Sequence, residues 1–196
     1  MTVLQHILVA AMPPQPWRNG GGSTRTLLTW PGGAGPWQLR ISVADITRDG
    51  PFSAFDGVDR WFAVLQGVGV RLALPGEPEQ VLRSSSAPLQ FAGETAPGCC
   101  CIAGPTRDLN LMLQRGAGSA LMQDATAATP WQHGAPLRAL FTTAALQLHI
   151  AGAPPQAVAA WSLVLASGGA AQRWTIDHLP AGARALWLAY TPAGAA

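Results

Sequence analysis

Hydrophobic and polar positions alternate with a period of two along much of this chain. From Trp37 to Ala44, the residues Trp37, Leu39, Ile41 and Val43 interleave with Gln38, Arg40, Ser42 and Ala44. Successive side chains of an extended strand point to opposite faces, so this segment is predicted to be a strand with one apolar and one mixed face. Asp108 to Gln114 repeats the arrangement, with Leu109, Leu111 and Leu113 in one row and Asp108, Asn110, Met112 and Gln114 in the other. Further strands are predicted in the N-terminal run before Pro13 and at 26–30, 60–66, 68–74, 89–91, 138–142, 146–150, 159–165, 172–176 and 185–190. The one segment suited to a short helix is Ala120 to Ala128.

Gly or Pro punctuates nearly every gap between these segments, as 22 Gly and 17 Pro allow. Many short strands at regular spacing predict an all-β chain built as an antiparallel sandwich or barrel. A faint internal echo points to duplication. Arg60 to Leu65 with Val70-Arg71-Leu72 resembles Arg138 to Thr143 with Leu148-His149-Ile150 at the same offset.

Composition narrows the chemistry. All twelve basic residues are Arg, which removes mechanisms that need a Schiff-base or phosphate-binding lysine. A formal charge of +2 with dispersed arginines gives nucleic acid no basic face to meet, so no nucleic-acid partner is expected. No apolar run approaches the ~20 residues that span a bilayer, and the N-terminus lacks the basic region of an export signal; no membrane partner and a cytoplasmic location are expected. Cys99, Cys100 and Cys101 are consecutive and odd in number, which predicts free, buried structural thiols rather than a disulfide framework or metal knuckle. The eight tryptophans serve as core and interface anchors and leave room for a homodimer.

Only 11% of the residues are charged, yet Asp45, Arg48, Asp49, Asp56, Asp59 and Arg60 cluster in ISVADITRDGPFSAFDGVDRWFAVLQG. Asp49-Gly50-Pro51 and Asp56-Gly57 have the chemistry of tight reversals. Such a cluster is either a set of solvated turns that holds a hairpin in register or part of a site. Two other polar segments flank it. WRNGGGSTR at 17–25 is glycine-rich, but no Lys-Ser/Thr pair opens a helix after it, so it is not a phosphate loop. Its glycines instead let backbone pass close to something, with Arg18, Asn19 and Arg25 reaching inward or closing turns. GPTRDLNLM at 104–112 is a turn that feeds the Asp108 strand.

Together, in this order and at these separations, the three segments resemble the HutD/Ves family of small bacterial proteins. The resemblance is strong over residues 4–116 and rests on length and strand content over the remainder. It implies a cupin fold, an RmlC-like jelly roll, with two small β-barrels in one chain (a bicupin) that share an interface. The unit would be the whole of 1–196, with a site-bearing half 1–115 and a second barrel 116–196. The resemblance further implies an association with bacterial histidine utilisation, in a regulatory or ligand-binding role.

Metal-dependent cupins use a His-x-His pair with a carboxylate and a further His. This chain has only His6, His133, His149 and His178, and Asp59, Arg60 and Trp61 where that motif would fall. No metal and no other cofactor is expected, and each His is read as an ordinary strand or loop residue. Arg60, beside Asp59 at the start of an apolar strand, can hold a carboxylate in its planar fork, with Asp59 or Asp45 holding Arg60 in turn. Arg18, Asn19, Arg40, Ser42, Asn110 and Met112 are secondary candidates, and Phe52 and Phe55 supply apolar walls. The reading is a metal-independent cupin that binds a small carboxylate metabolite as a sensor or regulator. Two others stay open: a metal-free enzyme with Asp45, Asp49 or Asp59 as general base on a substrate held by Arg60, and a structural module with a vestigial pocket.

Overall fold

The computed structural model describes residues 4–33, 35–127, 129–168 and 171–194. Its elements are strands, with short 3-10 turns at Val9–Ala11 and Gly93–Thr95. In order they are β1 (Leu4–Leu8), β2 (Gln15–Pro16), β3 (Gly22–Trp30), β4 (Leu39–Ile46), β5 (Gly50–Pro51), β6 (Val58–Gln66), β7 (Val70–Ala73), β8 (Gln80–Leu82), β9 (Leu89–Ala92), β10 (Gly98–Cys101) and β11 (Thr106–Gln114). There follow β12 (Gly118–Asp124), β13 (Trp131–Gln132), β14 (Leu137–Thr142), β15 (Leu146–Ile150), β16 (Gln156–Val158), β17 (Ser162–Ser167), β18 (Arg173–Ile176) and β19 (Ala185–Pro192). No helix among the described residues is long and apolar enough to cross a membrane.

The chain forms two compact units, one of Met12–Ala117 and one of Met1–Ala11 with Gly118–Ala196. The first has a larger sheet in the order β2-β3-β4-β11-β6-β9 and a smaller one in the order β5-β10-β7-β8. Phe62, Val64 and Phe91 of the larger sheet pack with Val70, Leu72 and Cys99 of the smaller in one buried cluster. The second unit has sheets β1-β17-β14-β19-β12 and β13-β18-β15-β16, around a cluster that includes Leu140, Trp131, Trp174 and Trp187.

The same strand order runs through both units. The series β4-β11-β6-β9 in one matches β12-β19-β14-β17 in the other, and β5-β10-β7-β8 matches β13-β18-β15-β16. The sequence echo lies on this correspondence: Arg60 on β6 faces Met112 of β11, and Arg138 on β14 faces Ala189 of β19.

Four expectations are corrected. Among the described residues no sheet closes on itself, so each unit is a pair of open sheets over a core rather than a closed barrel. Ala120 to Ala128 is not a helix: Gly118–Asp124 pairs with β19 along its whole length, and that pairing overrides the helical preference of Ala and Leu; residue 128 lies outside the described residues. Gly50-Pro51 is not a reversal but a short strand on β10, whereas Asp56-Gly57 does turn, with Gly57 at φ +70°. Of the three free thiols only Cys99 is fully buried; Cys100 and Cys101 are half-buried.

Candidate functional site

The site rests on three neighbouring strands of the first unit. Antiparallel register sets Arg40, Met112 and Arg60 side by side across β4, β11 and β6. The next row on the same face is Ser42, Asn110 and Phe62, and the next is Ala44, Asp108 and Val64. Adjacent strands lie about 4.8 Å apart, so Arg40 and Arg60 start roughly 10 Å from each other with Met112 between them. This face opens onto a cavity of ≈ 730 Å³, walled by Phe52 and Phe55 after β5 and by the segment from Gln15 to Asn19 with Thr24.

Arg60 is the most enclosed cation there, with 6% of its surface exposed. Its guanidinium lies 5.1 Å from the Phe52 ring centroid, 5.2 Å from Phe91 and 5.7 Å from Phe55, and ring quadrupoles offset part of its lost hydration. Nη2 donates to Asn110 Oδ1 at 2.9 Å, while Nε and Nη1 have no acceptor. Burial lowers its pKa to about 10, with Asp108 opposing the shift and Arg40 adding to it, so Arg60 is charged at neutral pH. Arg40 donates through Nη2 to Met112 Sδ at 3.0 Å and lies 5.3 Å from both the Trp37 and Phe55 rings. Its Nε lacks an acceptor, and burial lowers its pKa as well.

Asp108 is fully buried at the other end of the block. Its Oδ1 accepts from Asn110 Nδ2 and its Oδ2 has no partner. Burial pushes this carboxyl well above the usual carboxylate range; Arg60 pulls against the shift, Asp45 adds to it and the Asn110 bond opposes it. Asn110 is therefore a bridge with both amide atoms used, one toward Arg60 and one toward Asp108.

Of the residues singled out in the sequence, the structure brings Arg60, Arg18, Asn19, Arg40, Ser42, Phe52, Phe55, Asn110 and Met112 to the cavity. Arg18 and Asn19 are exposed at its rim, where Asn19 Oδ1 accepts from the Gly21 N–H at 2.9 Å. The structure does not bring Asp45 or Asp59 there. Asp45 belongs by period two to the Leu39-Ile41-Val43 row and pairs instead with Arg25 (2.8 Å) and Arg107 (2.6 Å). Asp59, next to Arg60 and so on the opposite face, pairs with Arg115 at 2.8 Å. Arg115 also holds Glu94, which it pushes down to about 2 and which accepts from the Gly57 N–H at 2.7 Å, so this group fixes the turn from which β6 sets out. Asp49 accepts from the Cys101 N–H at 2.8 Å and does not line the cavity either.

The lining residues missed in the sequence include Asp108, Trp17, Thr24 and Gln15. Asp108 was within reach, because it shares the polar row of Asn110 and Met112. Trp17 was not: its Nε1 reaches Thr24 Oγ1 at 2.8 Å only because β2 folds back on β3. Gly22 explains part of the glycine run, since a Cβ there would lie 2.1 Å from the Asp45 carbonyl and 3.1 Å from the Trp17 ring. All four histidines lie outside 12–117, and no three of His, Cys, Asp and Glu converge among the described residues.

The matching strands of the second unit carry different chemistry. Register places Arg138 where Arg60 stands, Trp187 where Asn110 stands and Ala185 where Asp108 stands. Trp187 is buried and stacks on Trp131 with centroids 5.0 Å apart, a bulky indole where the first unit has a small amide. Arg138 Nη2 donates to the Gly168 carbonyl at 2.6 Å.

Comparison with known proteins places these observations in a family. The HutD family pattern matches residues 9–181. An uncharacterised 21.2 kDa protein encoded in the hutC 3′ region of Pseudomonas putida is 39% identical over 113 residues, which cover 57% of this chain and 59% of that protein's length. The solved structure of HutD from Pseudomonas fluorescens SBW25 superposes with a TM-score of 0.84 at 26% identity, covering 98% of this chain and all of that one. A cupin 2 conserved barrel domain protein from Leptotrichia buccalis superposes with a TM-score of 0.54 at 9% identity, covering 86% of this chain and 88% of that one, a likeness of fold alone.

Proposed function

The chain belongs to the HutD family, with a cupin-like all-β fold, and we propose that it binds a small carboxylate metabolite in the cavity of the first unit and acts as a cytoplasmic sensor or regulator. The observation that carries this reading is Arg60: a buried guanidinium, charged at neutral pH, in the lining of a ≈ 730 Å³ cavity, with Nε and Nη1 lacking an acceptor. A buried charge with unmet hydrogen bonds is costly, and an anion that supplies the acceptors removes that cost. Arg40 in the same row adds a second positive charge and Arg18 a third at the rim, and guanidiniums in a cavity without imidazole favour an anion over a metal cation, so binding is metal-independent. The matching strand orders of the two units support a bicupin whose second member has become a packed core. The histidine-utilisation link rests on the resemblance to HutD proteins, and the metabolite would be a carboxylate of that pathway.

Calorimetric titration of the chain with short carboxylates tests the reading, with Arg60→Ala as control. Saturable binding that is lost in a folded Arg60→Ala protein supports it; equal affinity in both proteins, or none for any carboxylate, overturns it.

A further inference from the structure

The turn from β2 into β3 carries an asparagine followed by glycine, Asn19-Gly20. Both residues are exposed, and Gly20, at φ +67°, has no Cβ to crowd its nitrogen. The Gly21 N–H donates to Asn19 Oδ1 at 2.9 Å. That bond polarises the carboxamide and stands where negative charge gathers on Oδ1 when a nucleophile adds to Cγ, as the donors of an oxyanion hole do. Asn19 Nδ2 lies 3.9 Å from the position a Cβ would take on Gly50, which has no side chain to hold it. One contact opposes reaction: the Gly20 N–H donates to the Trp17 carbonyl at 3.0 Å. This is a single bond in an exposed turn, and local opening releases it at little cost. Asn110, the other asparagine of the chain, is the contrast: it is buried, both of its amide atoms are bonded, and a leucine follows it.

We propose that Asn19 is a site of spontaneous covalent modification at the rim of the cavity, where its carboxamide converts to a carboxylate through a cyclic imide formed with Gly20. The Gly20 nitrogen gives its proton to solvent and bonds to Asn19 Cγ; the Cγ–Nδ2 bond breaks, and Nδ2 takes a proton from solvent and leaves as ammonia. Water then opens the imide. Cleavage between Cγ and the Gly20 nitrogen gives aspartate, and cleavage at the main-chain carbonyl gives isoaspartate, in which the backbone runs through the former side chain. The sum is one water taken up and one ammonia released, with no oxidant and no cofactor. The product sets a negative charge next to Arg18, in a lining that also holds Arg40 and Arg60. It offsets positive charge at the mouth and so weakens the hold on an anion. This effect on binding rests on the carboxylate reading above, whereas the modification itself does not.

Ageing the folded chain in mildly alkaline buffer and mapping its peptides by mass spectrometry tests this, with ammonia release as an independent readout. The peptide that holds residue 19 should gain the mass difference between an acid and an amide and split into aspartate and isoaspartate forms, while the Asn110 peptide stays unchanged. Asn19→Gln should lose the conversion, because one more methylene takes Cδ out of five-membered reach of the Gly20 nitrogen. Conversion at residue 19 in the urea-unfolded chain but not in the folded one would overturn the inference, since the Trp17 bond would then hold the nitrogen back. Aspartate without isoaspartate would overturn the cyclic route. Calorimetry with glutarate on the fresh chain and on Asn19→Asp tests the effect on binding: the variant should bind more weakly by up to about fivefold, the worth of one exposed charge pair. Equal affinity would overturn that effect and leave the modification standing. Failure of glutarate to bind either protein would overturn the carboxylate reading, and the peptide map would still decide the modification.

Discussion

Arg60 and Arg138 occupy corresponding places in two units with one strand order, but Arg60 lines an open cavity whereas Arg138 is fully buried. The difference lies one row away on the adjacent strand. Asn110 beside Arg60 is small and polar and spends both amide atoms on its neighbours. Trp187, its counterpart by register, is a buried indole that stacks on Trp131.

Trp187→Ala should therefore act on folding rather than on binding. Removing a buried indole should cost about 3–5 kcal/mol by urea denaturation, while carboxylate affinity of the protein that remains folded stays within about twofold. A loss of affinity comparable to that of Arg60→Ala would place part of the site in the second unit.

Arg60→Ala should weaken carboxylate binding by about 2–5 kcal/mol, and Arg60→Lys should restore only part, because an ammonium lacks the planar fork. Both proteins should fold, since the substitution removes a buried cation rather than a packed apolar side chain. Titration calorimetry and a thermal melt check the two halves of the statement, and unchanged affinity in a folded Ala variant would make Arg60 structural.

Asn110→Leu and Leu111→Asn should separate binding from folding. The first leaves Arg60 and Asp108 without their bridge, so it should abolish binding and cost about 1–3 kcal/mol of stability. The second places an amide on the opposite, fully buried face and should cost more, about 2–4 kcal/mol. Urea denaturation with parallel titrations measures both. A stable Leu111→Asn protein beside an unfolded Asn110→Leu protein would reverse the assignment of the two faces.

Asp108 should make stability fall as pH rises. Its pKa is raised in the folded protein, so between the unfolded carboxyl pKa of about 3.9 and the higher folded value the native state holds more protons than the unfolded one. That proton excess makes the slope of stability against pH negative in this window. Asp108→Asn cannot ionise, so the difference between variant and unsubstituted protein should grow in the variant's favour from pH 4 upward and level off above the folded pKa. Denaturation midpoints across that range test it; a difference that moves the other way would mean that Asp108 is held as a carboxylate.

Gly22→Ala should destabilise through sterics, because the new Cβ would meet the Asp45 carbonyl at 2.1 Å. The strand must shift, at a cost of about 1–3 kcal/mol, and Trp17 and Thr24 should move with it, weakening carboxylate binding. A variant with unchanged midpoint and affinity would show that β3 yields freely at this point.

Period two alone determined much of this site. It put Arg40, Ser42, Asn110 and Met112 on the faces where the cavity lies, because a strand has no other way to dispose of alternate side chains. Carried one step further, it also sends Asp45 and Asp59 away from Arg60 and keeps Asp108 beside Asn110, so those placements were written in the sequence too. The repeated Arg-apolar pattern at 60 and 138 likewise marked two equivalent strands before any contact was known.

Only the tertiary structure decided what each buried polar group would be. Whether Asp108 meets a cation depends on Asn110 standing between it and Arg60, a matter of side chains on two strands brought together from distant parts of the chain. The rings that enclose Arg60 come from residues 52, 55 and 91, and no local pattern joins them. The same holds for β1, which crosses to pair with β17, and for β12, whose Ala and Leu favour a helix until β19 offers a full row of hydrogen bonds. Local alternation fixes a face; long-range pairing fixes the neighbours, and it is the neighbours that set burial, charge and the space left for a ligand.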